Sequence, residues 1–157
     1  VSAVEIIVGS MLGATEYVAD ALAEKFDSYD ISNHIHLNAD LADLNPQATW
    51  LLCTSTHGAG DLPDNIQSFS AQLQQAELAH IRYLIIGLGD SSYDTFCEAA
   101  KTLHRLMQER GAQCIQEPLF IDVLHHPIPE EEAAAWLDKK LKEEDLASAI
   151  KNAEVNP

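Results

Sequence analysis

Basic residues are scarce in this chain: 9 Lys and Arg stand against 25 Asp and Glu, a formal net charge of −16. That imbalance argues against nucleic acid and anionic membrane surfaces as partners, since both are themselves negative. Two readings of the acidic surface remain, a docking face for a basic protein surface or a device for solubility. Cysteine is sparse as well. Cys53, Cys97 and Cys114 share no CxxC spacing, so neither a disulfide framework nor a zinc site is expected, and a reducing cytoplasm is the expected compartment. Long apolar runs are missing: no segment approaches the roughly 20 residues that span a bilayer, and no basic stretch followed by a long apolar run opens the chain. Internal repeats and low-complexity linkers are lacking too. With 157 residues, 46% hydrophobic and 22% charged, the chain is expected to form one domain over 1–150 with a tail at 151–157, and not to be disordered.

What is present is an alternation of strand-like and helix-like segments. Strands are expected at Val4 to Val8, Ile31 to Leu37, Thr49 to Thr54, Tyr83 to Leu88 and Cys114 to Val123. Between them apolar residues recur every three to four positions, as in Val18, Leu22, Phe26; Ile66, Phe69, Leu73, Ala76; Phe96, Ala100, Leu103, Met107; and Ala133, Trp136, Leu137, Leu141. Such spacing gives each helix one apolar face. Five alternating units call for an α/β fold with a parallel sheet covered on both sides by helices. Trp50 to Cys53 and Tyr83 to Ile86 are continuously apolar, as central strands are, whereas Ile31, Ile35 and Leu37 alternate with Ser32, His34 and His36, as at an edge. The expected result is a doubly wound, five-stranded sheet of order 2-1-3-4-5, whose ligand site lies at the strand carboxyl ends where the order reverses.

Three loops fall at those carboxyl ends: Gly9 to Glu16, Thr54 to Asp61 and Gly87 to Tyr93. In the first, Ser10 and Thr15 offer hydroxyls and Gly13 lets the backbone bend, so that amides converge at a helix start and hold a phosphate. No Lys or Arg lies between Val1 and Asp20, which separates this loop from a P-loop. In the second, His57 offers a flat ring beside Gly58-Ala59-Gly60, and Pro63 suits a first helical turn. The Gly58-Ala59 peptide can rotate at little cost, turning its carbonyl towards a ring nitrogen that has gained a proton. In the third, Gly87 and Gly89 allow close approach, Tyr93 can cover a planar ring, and Asp94 is placed to cap the next helix.

Taken together the loops read as a cradle for one flavin mononucleotide, FMN. Asp61, Asp64, Asp90 and Asp94 would then disfavour extra negative charge on the ring: one carboxylate ~6 Å away costs roughly 3 kcal/mol at an effective dielectric of ~20. With a factor of ten equal to ~59 mV per electron, such a group lowers the potential by up to about 100 mV. No Ser-His-Asp or Cys-His arrangement is present, so no catalytic side chain is expected. His125-His126-Pro127-Ile128-Pro129 lacks a third ligand at fitting spacing, so a surface turn is expected there and no metal.

These motifs resemble the flavodoxin family, and within it the MioC-type short-chain flavodoxins. Ser55 to Asp61 with Pro63 to Asn65 carry the most specific likeness, which extends to about Leu141. Flavodoxin is itself the standard case of the switch-point rule for the order 2-1-3-4-5. Gly87 to Tyr93 also resemble the FMN domains of diflavin reductases. The resemblance implies FMN as cofactor, with Ser10, Gly13, Ala14 and Thr15 on the phosphate, His57 flanking one ring face and Tyr93 stacked on the other. The full expected contact set adds Met11, Leu12, Thr56, Gly58, Ala59, Gly60, Gly89, Asp90, Phe96 and Cys97. Leu12 stands where the wider family commonly has Thr, one phosphate hydroxyl fewer. The implied work is single-electron transfer from a flavoprotein reductase to an acceptor enzyme, with biotin synthase as a suggested acceptor. The alternative is a small NAD(P)H-dependent flavin or quinone reductase, although no second dinucleotide fingerprint is present. A phospho-receiver of the same architecture would need acids after the first strand and a late Lys, which Gly9-Ser10 and Ile121-Asp122 do not supply.

Overall fold

The computed structural model describes residues 2–155, with side chains through Asn152. In chain order the elements are β1 (Val4–Gly9), α1 (Ala14–Ser28), β2 (Asn33–His36), β3 (Thr49–Ser55), α2 (Asp64–Leu73), β4 (Arg82–Gly89), α3 (Glu98–Glu109), β5 (Gln113–Cys114), β6 (Leu119–Asp122), α4 (Pro129–Glu143) and α5 (Leu146–Val155). The strands are parallel in the order β2-β1-β3-β4-β5, with β6 also pairing β4. The expected fold class and strand order are therefore present.

Because successive strand residues point to opposite faces, each central strand feeds two cores. Ile6, Val8, Leu51, Cys53, Leu84 and Ile86 bury against Val18, Leu22 and Phe26 of α1 and Leu137 of α4. Ile7, Trp50, Leu52, Tyr83 and Ile85 bury against Ile66, Phe69 and Leu73 of α2 and Leu103 and Met107 of α3. This double burial is why β3 and β4 read as unbroken apolar runs. It also fixes their register, since a one-residue slip would exchange the two cores.

Several boundaries differ from expectation for local reasons. Strand β2 covers only 33–36, the stretch that pairs with β1. Ala76 lies beyond the end of α2, and Phe96 precedes α3. The expected fifth strand is two short ones: three steps along β4, from Tyr83 to Ile86, face five along the partner, from Cys114 to Leu119. The two extra residues bulge out, next to Pro118, which has no N–H for a ladder. Helix α5 continues past residue 150, with Leu146 and Ile150 buried in the core; Val1, Asn156 and Pro157, including the end of the expected tail, lie outside the described residues. No helix among the described residues is long and apolar enough to cross a membrane.

Candidate functional site

Strands β1, β3 and β4 end side by side, so the three loops meet at one rim. The first loop turns through Gly13, whose φ of 93° suits only a residue without Cβ, and α1 begins at once. The Gly13 amide donates to Ser10 Oγ (3.0 Å), and the Ser10 amide donates to Asn65 Oδ1 (2.9 Å). These two amides are thus committed to the protein. The amides of Met11, Leu12, Ala14 and Thr15 have no protein acceptor among the described residues. Thr15 is fully buried, and its Oγ1 has no hydrogen-bond partner among the described residues. A buried hydroxyl without a partner costs about 1–3 kcal/mol, so its presence at a helix start beside open amides fits an anion that supplies the missing acceptor.

The second loop is closed by its own backbone. His57 N–H donates to Asp61 O (2.8 Å) and Asp61 N–H to His57 O (2.7 Å), with Gly58 and Gly60 at positive φ between them. This bracing leaves His57, Gly58 and Ala59 exposed at the tip. In the third loop, Asp90 Oδ1 accepts from the Ser92 amide (2.8 Å) and hydroxyl (2.6 Å), and Asp122 Oδ1 accepts from the Ser91 and Leu124 amides, each 3.1 Å. The Ser91 hydroxyl first, then its amide and that of Leu124, hold the Asp122 carboxyl below the usual carboxylate range. This anchor is therefore present at neutral pH and is lost as pH falls through that lowered value.

A cleft of ≈ 270 Å³ runs between the loops, walled by Ser10, Met11, Leu12, Ala14, Thr15, Ser55, Thr56, His57, Leu88, Gly89, Asp90 and Val123. A second of ≈ 350 Å³ shares Thr56, Gly89 and Asp90 with it and continues to Gly58, Tyr93 and Thr95. Tyr93 is 66% exposed and Leu12 97%, so each projects freely at the rim. The structure thus brings together Ser10, Met11, Leu12, Ala14, Thr15, Thr56, His57, Gly58, Gly89, Asp90 and Tyr93, with Gly13 shaping the first loop. Ala59 and Gly60 complete the histidine turn without lining either cleft. Phe96 and Cys97 stand behind the rim: a Cβ on Gly89 would meet Cys97 N at 2.6 Å and Phe96 Cδ1 at 3.0 Å. Burial pushes the Cys97 thiol up to about 12, so it carries no thiolate at neutral pH.

One expectation is corrected. Asp94 does not cap α3: that helix starts at Glu98, its cap position is Cys97 at a φ of 52°, and no side chain bonds there. Three residues, Thr95, Phe96 and Cys97, separate Asp94 from the helix, and the Ala99 amide instead donates to Thr56 Oγ1 (3.2 Å) from the second loop. The residues that the sequence reading missed are Ser55, Leu88, Thr95 and Val123 on the walls, and Asn65 and Asp122 behind them. Wall positions at the ends of β3, β4 and β6 follow from strand position alone; Asn65 stands in the Pro63 to Asn65 motif, but its bonds, like those of Asp122, run across the fold and leave no local pattern.

A larger cavity, ≈ 560 Å³, opens at the other end of β1 around Glu5, His34 and His36. There Glu5 Oε1 lies 3.3 Å from His36 Nε2 and Glu5 Oε2 accepts from the Asn45 amide. Buried His36 Nε2 has no hydrogen-bond partner among the described residues, and among those residues no three ligating side chains converge to hold a metal. Thr49 Oγ1 is likewise buried without a partner among the described residues, but only Thr15 Oγ1 of these stands at the start of a helix beside open amides.

Open amides around a buried hydroxyl thus lie beside a slot between a histidine turn and a tyrosine loop, at the switch point of an α/β sheet. The Flavodoxin family model matches residues 6–136. The chain is 41% identical over 136 residues to Protein MioC of Escherichia coli, covering 85% of this chain and 92% of that protein. It is 32% identical over 157 residues to the sulfite reductase (NADPH) flavoprotein alpha-component of Photobacterium profundum, covering 97% of this chain and 25% of that longer one. Among solved structures, a flavodoxin mutant from Pseudomonas aeruginosa matches with a TM-score of 0.81 at 30% identity, covering 94% of this chain and 98% of that chain. The chain belongs to the flavodoxin family. Membership implies a flavin cofactor and electron transfer as its work.

Proposed function

We propose that this protein binds FMN across the two clefts and carries single electrons from a flavoprotein reductase to an acceptor enzyme in the cytoplasm. The observation that carries the reading is the buried Thr15 hydroxyl, without a partner among the described residues, beside four open amides at a rim where an exposed tyrosine and histidine stand by a slot. Thr15 Oγ1, the Ser10 hydroxyl and the amides of Met11, Leu12, Ala14 and Thr15 hold the phosphate. Tyr93 and His57 cover the ring, and Asp90, which lines both clefts, faces it. Bound there, the flavin supplies reversible one-electron chemistry, and the chain itself makes or breaks no bond. Replacing Tyr93 with Ala weakens FMN binding by roughly 1 kcal/mol or more through lost stacking; an unchanged affinity in a fluorescence titration removes Tyr93 from the ring site.

Partners dock on the acidic rim formed by Asp61, Asp64, Asp90 and Asp94, and the likeness to MioC-type proteins makes biotin synthase the acceptor to test first. The deciding assay mixes the FMN-loaded protein with NAD(P)H, with and without an added flavoprotein reductase. Reduction is expected to need the reductase and to slow as salt is raised, because charges steer docking over a Debye length of about 8 Å at physiological ionic strength. Fast turnover by the chain alone would establish the reductase alternative, and a flat salt response would leave the negative surface as a solubility device.

A further inference from the structure

Asn65 lies in the first turn of α2, outside both clefts, yet its carboxamide engages three backbone groups on two segments, the end of β1 with the loop after it and the residue that follows β2. Oδ1 accepts from the Ser10 amide at 2.9 Å, and Nδ2 donates to Val8 O at 2.9 Å and to Leu37 O at 2.8 Å. Strand β2 stops at His36, paired with Ile7. Val8 and Leu37 would come next in that ladder, and there the carboxamide sits between their carbonyls. Both of its donors and its oxygen are engaged, so the opposite flip would set an acceptor against two carbonyls and a donor against an N–H. The Asp64 amide adds a second link from the same turn, to Met11 Sδ at 3.3 Å.

We infer that Asn65 is the positioning residue of the phosphate loop. By taking the Ser10 amide it fixes the first residue of the loop, and so sets where the Ser10 hydroxyl and the open amides of Met11 and Leu12 point. It touches no ligand itself. This inference rests on the FMN reading and adds to it the group that pre-forms the anion cup, which lowers the ordering that binding would otherwise require.

The test is a pair of titrations, with FMN and with riboflavin, which lacks the phosphate, on the wild-type protein and on Asn65→Ala. A cup set by Asn65 predicts that the FMN dissociation constant rises about tenfold or more, since two carbonyls and an amide lose their partner, while that of riboflavin changes less than about threefold. Asn65→Gln keeps the carboxamide but displaces it by one methylene; it serves if the alanine variant does not fold, and the same selective loss is expected. Equal loss for the two ligands, or an unchanged FMN affinity, overturns the inference and leaves Asn65 as a structural tie. A wild-type protein that binds neither ligand instead sinks the FMN reading, and this inference with it.

Discussion

Gly89→Ala is expected to lose about 1–3 kcal/mol of folding stability and to weaken FMN binding at least about tenfold, because the ring loses its Tyr93 cover. Gly89 ends β4 and pairs with Asp122, and its carbonyl accepts from the Val123 amide at 2.8 Å. An added Cβ would lie 2.6 Å from Cys97 N and 2.9 Å from Cys97 Sγ. The nearer atom is backbone, so no rotamer change removes the clash. Cys97 already holds a left-handed φ of 52°, which leaves the turn before α3 little freedom to retreat. What moves instead is the third loop, and Asp90 and Tyr93 move with it. Gly9 is a useful contrast, since its added Cβ would meet first a side-chain atom, Thr54 Oγ1. Thermal unfolding of the apoprotein and an FMN titration check both halves of this result; a melting temperature and affinity equal to wild type would show that the loop has slack the structure does not display.

Thr15→Val is expected to change stability and binding in opposite directions. Valine has the shape of threonine with a methyl in place of the hydroxyl, so the buried side chain keeps its packing. The hydroxyl it removes has no partner among the described residues, and replacing an unsatisfied buried polar group by an apolar one of the same shape is neutral or stabilising, by up to about 1 kcal/mol here. A hydrogen bond to a charged phosphate oxygen is worth about 1.5–3 kcal/mol, so the FMN dissociation constant should rise by about 10- to 100-fold. Urea unfolding without ligand and a titration with FMN measure the two signs separately. Loss of stability with unchanged affinity would place the Thr15 hydroxyl in the fold and not in the phosphate cup.

Much of this architecture was readable beforehand because burial imprints itself on periodicity. Trp50 to Cys53 and Tyr83 to Ile86 face a core on each side and are apolar throughout, while β2 at the edge alternates; from that contrast the strand order follows. The three site loops were readable for a similar reason, since each begins where an apolar strand stops. The fifth strand was not, because its break depends on how 113–122 pairs with β4, and apolar content alone does not reveal a bulge. Nor were the ties behind the rim. Asn65 reaches Ser10, Val8 and Leu37, and Asp122 reaches Ser91, across sequence separations of 28 to 57 residues. Side chains that serve distant backbone have no spacing rule. Asp94 shows the converse: a residue type suited to capping stood near a helix start, but the turn through Thr95, Phe96 and Cys97 put the helix out of its reach.

The claim that everything else depends on is that the first loop closes on the phosphate of a flavin nucleotide. Isothermal titration of the purified, flavin-free protein with FMN tests it most directly. The account predicts saturable one-to-one binding with quenching of flavin fluorescence and a yellow protein after gel filtration. No heat, no quenching and a colourless protein would contradict it.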